Sequence, residues 1–164
     1  MNGKFNVKTE ELLAALAYEY AIPGHRMVAF ASRLRHLHRL GFLCSSRVGR
    51  GKVQTYSVQD IQLVAVAFYL QSQGMRPEIV VGAADTVLCE HLRHKSDCIT
   101  VTLSGFDEIP KAVVEVGSHC GLVVNVAKII ERLLEAISVT RAHRGDSAKA
   151  QGMRAAGQRE AVPG

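Results

Sequence analysis

A mainly α fold with one short β-hairpin, followed by a small α/β segment, is the class this sequence predicts. Three observations carry the prediction. Apolar residues recur at helical spacing over most of the first 94 positions. Glycine, proline and serine punctuate those periods at short intervals. Runs of β-branched residues suited to strands are confined to a few short stretches. With 164 residues, of which 48% are hydrophobic, the chain can bury a core of ordinary size. Three regions are expected: 1–94, then a small strand-and-helix segment 95–140, then a tail 141–164.

Residues 8–20, "KTEELLAALAYEY", place Leu12, Leu13, Leu16 and Tyr20 on one helical face, with Thr9 as the expected N-cap. "AIPG" interrupts the helix at Pro23. A second helix is expected from about His25 to Leu40. At about 100° per residue, Met27, Phe30, Ala31, Leu34 and Leu37 form its apolar stripe. His25, Ser32, Arg35, His36 and Arg39 gather opposite, flanked by Arg26 and Arg33. His38 falls on the apolar side and is expected to pack. Gly41 suits the C-terminus. Next, "FLCSSRVGRGKVQTYS" has the composition of a hairpin, with strands at 42–47 and 53–56 around "GRGK". Ser57 caps a third helix that is apolar on nearly every side and ends at Gly74, and Pro77 opens a fourth. Helix, turn, basic helix, hairpin and helix is the layout of a winged helix-turn-helix.

The charge distribution gives this layout a purpose. From Tyr20 to Gln59 there is no acid, whereas Arg26, Arg33, Arg35, Arg39, Arg47, Arg50 and Lys52 supply seven cations. The net charge is +5, which leaves the rest of the chain at −2. A solvated face ordinarily mixes both signs; one sign alone attracts a polyanion. Arginine suits guanine edges bidentately and serves phosphates equally well. Arg26, Arg33 and His36 are the candidates for bases. Arg35 and Arg39 are the candidates for phosphates, with His25 near the start of the helix and Ser32 on the same face. Arg47, Arg50, Lys52 and Gln54 belong to the wing.

"RLRHLHRLGFL", a later arginine, a glycine-containing turn, "TYSVQDIQLV" and "LQSQGMRPEIV" together resemble the MerR family of bacterial regulators over about residues 33–80. Arg35, Gly41, Phe42, Leu43, Tyr56, Ser57, Asp60, Ile61 and Gly74 stand where that pattern has its equivalents. Where the family carries a tyrosine pair and then an acid, this chain has His36, Leu37 and His38. The first helix and turn are also longer, which leaves a generic winged helix as the alternative. The resemblance implies a dimer on a pseudo-palindromic promoter site, with Arg35 on the DNA backbone.

After residue 94, "CITVTLSG" reads as a strand. "KAVVEVG" and "GLVVNV" fit a strand or part of a helix. "VAKIIERLLEAI" is amphipathic, with Val126, Ile129, Ile130, Leu133, Leu134 and Ile137 on its apolar side. So short a segment cannot close a core alone. It is expected to pair with a second copy through Val126, Ile130, Leu133, Leu134 and Ile137. Residues 141–164, rich in Gly, Ala and charge, read as a disordered tail.

Several classes are disfavoured. No phosphate-cradling glycine motif, HExxH or nucleophile elbow occurs, so no enzyme and no cofactor are expected. Cys98, His119 and Cys120 are the nearest approach to a metal set. Adjacent ligands rarely face one ion, so no metal is expected and the four cysteines read as buried and unreactive. Without an apolar run suited to a signal peptide or a span, a cytoplasmic, nucleoid-associated location is expected. The function expected is a sequence-specific transcription regulator. Its partners would be double-stranded DNA, a second copy and, at a promoter, RNA polymerase. A phage or mobile-element excisionase is the alternative.

Overall fold

A computed structural model describes residues 6–43, 54–104, 111–115 and 121–159. The fold is mainly α. Helix α1 (Thr9–Glu19) is preceded by the short strand β1 (Val7–Lys8), and a 3-10 turn (Gly24–Arg26) leads into α2 (Met27–Arg39). Strand β2 (Thr55–Tyr56) precedes α3 (Val58–Ser72) and α4 (Pro77–His94). Strands β3 (Cys98–Ser104), β4 (Lys111–Glu115) and β5 (Leu122–Asn125) lead into the long α5 (Val126–Arg159).

Local chemistry sets the helix ends. Ser57 caps α3: its hydroxyl accepts the Asp60 amide while the Asp60 carboxylate accepts the Ser57 amide at 2.9 Å. Pro77 occupies the first turn of α4, where its missing N–H costs nothing. Helix α1 starts one residue earlier than expected. Lys8 is its N-cap, and the Thr9 hydroxyl instead donates to the Gln54 carbonyl at 3.2 Å. Helices α1, α2 and α3 all end in one device, in which two amides past the cap reach back to the last carbonyls. In α2, Phe42 N–H donates to Leu37 O and Gly41 N–H to His38 O. Gly41 and Gly74 supply the left-handed residue after α2 and α3, both at φ +89°. After α1 that position is Ala21 at φ +48°, where a Cβ is unfavourable. Ala21→Gly is therefore expected to raise stability by up to about 1 kcal/mol, read by chemical denaturation. A fall would show that the turn is not left-handed in solution.

Two small sheets complete the fold. β1 and β2 pair antiparallel, Val7 opposite Tyr56 and Lys8 opposite Thr55. The other sheet is antiparallel in the order β4-β3-β5, with Val101 opposite both Val114 and Leu122. Residues 111–115 and 122–125 are thus strands, and helix begins at Val126. The expected strand at 42–47 is corrected at its start. Phe42 and Leu43 form a turn, Leu43 at φ +61°, with both side chains buried. Residues 44–53, the expected wing, lie outside the described residues.

One continuous hydrophobic cluster runs from Val7 to Ile137. Helix α3 is central, with Ile61, Leu70 and the whole run Val64–Phe68 buried, so it is apolar on nearly every side. Helix α4 packs on it, and α5 packs against both α1 and α3. This corrects the expected dimer surface. Val126, Leu133 and Ile137 are at most 2% exposed and Ile130 is 9% exposed within a single chain, with Leu134 partly buried. The stripe finds its cover on the chain's own N-terminal helices, a possibility that segment length alone does not reveal. The disordered tail from residue 141 is corrected as well. α5 continues through Arg159, where Ala, Arg, Lys and Gln favour helix although Gly145, Gly152 and Gly157 interrupt them. Arg141 is anchored, donating to the Asn6 carbonyl at 3.0 Å and to Glu11 Oε2 at 3.2 Å. The Lys8 amide, helped by Arg141, holds the Glu11 carboxyl below the usual carboxylate range against the opposing effect of burial. Its contribution is present at neutral pH and fades as pH falls through that lowered value. Solvent screening keeps it small. Among the described residues no helix is long and apolar enough to cross a membrane.

Candidate nucleic-acid interface

Helix α2 buries Phe30, Leu34 and Leu37, and that choice dictates what faces outward. His25, Arg26, Ser32, Arg33, Arg35 and Arg39 are all exposed, and His36 is half-exposed. Among the described residues no carboxylate pairs with Arg26, Arg33, Arg35 or Arg39, so four guanidinium groups from one helix and its lead-in turn keep their donors for a ligand. His36 differs. Its Nε2 lies 3.8 Å from Glu78 Oε1 at the start of α4, with both side chains about half exposed. The Ser32 hydroxyl donates back to the Val28 carbonyl at 3.0 Å, so towards a ligand it acts as an acceptor.

Val28 is a residue the sequence reading passes over. It is 75% exposed and lies in the same row as Ser32, Arg35 and Arg39. The same spacing that turns Phe30, Leu34 and Leu37 inward turns it outward. An exposed valine among arginines suits a thymine methyl.

Behind this face sits a polar cluster that fixes the helix to β2. Tyr56 is fully buried, and its hydroxyl lies 2.9 Å from His38 Nε2. The Gln54 amide nitrogen lies 3.4 Å from the same atom. With its proton on Nδ1, the His38 ring accepts at Nε2 from the Tyr56 hydroxyl. Burial pushes the Tyr56 phenol up, which keeps its proton in place as the donor. His38 is thus a packing residue, as its position on the wheel implies. Gln54 turns inward to the same cluster, and its carbonyl accepts from Thr9, which corrects its assignment to the outer surface. Tyr56→Phe is expected to cost about 0.5–1.5 kcal/mol of stability, read by chemical denaturation, while leaving the exposed face of α2 unchanged. Unchanged stability would show that the His38–Tyr56 contact does not hold α2.

Arg47, Arg50 and Lys52 lie outside the described residues. Cys89 and Cys98 are free and exposed, which corrects their expected burial: Cys89 is on the outer side of α4, and Cys98 is the first residue of β3. Among the described residues no three His, Cys, Asp or Glu side chains could hold a metal ion. Glu90 instead pairs with Arg93 at 2.7 Å and with His94 at 3.0 Å, and His91 Nδ1 meets the Ser96 carbonyl. No protein-family model, curated protein or solved structure matches the chain.

Proposed function

We propose that the chain is a sequence-specific double-stranded DNA-binding regulator of transcription that reads the major groove with α2. The guanidinium groups without a carboxylate partner among the described residues carry this reading, Arg35 and Arg39 on the outer face of α2 with Arg26 and Arg33 flanking it. Proteins normally spend exposed arginines in mixed-sign networks. Four without a carboxylate on one helix and its lead-in are suited to phosphates and guanine edges. The α1–turn–α2 unit, with β2 and α3 behind it, is compatible with a winged helix-turn-helix of the MerR-like kind, the wing expected at about residues 45–55 leading into β2. The capped α3 and the His38–Tyr56 contact hold α2 from behind, so its outer face can be presented rigidly. Pairing on two half-sites would use a surface other than the α5 stripe.

Binding to a site selected from genomic fragments, followed by fluorescence anisotropy across a salt series, tests the reading. Affinity should fall by about 0.9 log units per log unit of salt for each phosphate neutralised. Arg35→Ala and Arg39→Ala should each reduce that slope by about one contact while leaving sequence preference nearly intact. A chain that binds no DNA at low salt, or whose slope ignores both changes, refutes the proposal. Tandem protected sites at an attachment region, in place of a promoter site, would identify the excisionase alternative.

A further inference from the structure

Away from α2, the end of α1, the second half of α3 and the first turns of α5 enclose a cleft of about 330 Å³. Its floor is apolar, formed by Leu16, Ala65 and Leu133, all buried. Its rim is polar and cationic. Arg132 reaches Glu19 at 3.7 Å, so these two charges largely offset each other. Lys128 lines the same cleft and has no ion-pair partner among the described residues. The balance is therefore one uncompensated cation, beside the N-terminal turn of a helix that carries no acid there. Two phenols, Tyr20 and Tyr69, complete the wall. Tyr20 is partly buried against Phe68, and burial pushes its phenol up, so it stays protonated and able to donate. An apolar floor, aromatic walls and a few convergent donors in a volume of this size are the usual make-up of a small-molecule site.

We propose that this cleft binds a small amphipathic monocarboxylate, an aromatic or branched acid, with its apolar body against Tyr20, Tyr69 and Ile129, which keep accessible surface, and its carboxylate at Lys128. A cationic ligand would meet like charge from Lys128. A neutral one would forgo the charge-assisted contact with the Lys128 ammonium. Polyphosphates would need more cations than the rim provides. Because the walls come from α1, α3 and α5, an occupant would join the N-terminal helices to the C-terminal one.

The test uses the full chain without DNA, so its outcome is independent of the DNA-binding proposal. Amide resonances are followed by NMR while phenylacetate, isovalerate or the neutral phenylacetamide is added. Saturable shifts confined to the surroundings of Tyr20, Tyr69 and residues 128–133 are expected for the two acids, with the amide binding at least about tenfold more weakly. Lys128→Gln, a change at an exposed position, should keep the native spectrum and abolish the preference for acid over amide. Equal affinity for acid and amide, shifts centred elsewhere, no saturation at millimolar acid, or an unchanged preference in Lys128→Gln would each overturn the proposal.

Discussion

Ile137→Asp is expected to unfold the whole chain, N-terminal helices included. Ile137 is fully buried, in a helix that packs against α1 and α3 within one hydrophobic cluster. An unpaired carboxylate there costs several kcal/mol, a large part of the roughly 5–15 kcal/mol that holds a typical domain together. The milder Ile137→Ala should cost about 2–5 kcal/mol. It should lower a single unfolding transition seen alike by helical circular dichroism and by the buried tyrosines. Were residues 6–94 to stay folded in the aspartate variant, the shared core would be wrong. The segment after residue 94 would then be a separate unit, free to pair with another copy.

Reversing three charges on α2, Arg33→Glu with Arg35→Glu and Arg39→Glu, should have the opposite profile. All three side chains are exposed and no carboxylate pairs with them among the described residues, so the melting temperature should change little. Binding to the selected DNA site should disappear. A base-reading arginine is worth about 1–3 kcal/mol, and each new carboxylate adds repulsion from the phosphates. Retained binding would move the interface off α2 altogether. A lost fold would show that these arginines are structural.

The sequence made the punctuated helices legible because their signals are local. The Ser57–Asp60 capping pair, Pro77 and the glycines at 41 and 74 each act within a few residues of themselves, and all sit where expected. The outward set on α2 was legible for the same reason, since a helix turns residue order directly into direction. What escaped was long-range. β1 and β2 have two residues each, too few for any periodicity, and they join positions almost fifty apart. The apolar stripe of α5 was recognised, but an amphipathic face does not say which surface covers it. A second copy and the chain's own α1 and α3 make the same demand on those residues. Phe42 and Leu43 look like strand residues because buried turns also favour bulky apolar side chains.

The long-range closures bear on the order in which the protein can be made. Synthesis delivers α1 first, yet its apolar face is completed by α5. The Asn6 carbonyl and the Glu11 carboxylate wait for Arg141, 130 or more residues downstream. Contacts of such sequence separation form late and slowly. Until the ribosome has released α5, the nascent chain carries exposed leucines on α1 beside the nearly all-apolar α3. That interval is when a chaperone would find a substrate and when aggregation competes with folding. A chain held on a ribosome stalled before residue 126 should therefore be protease-sensitive, and the released chain resistant.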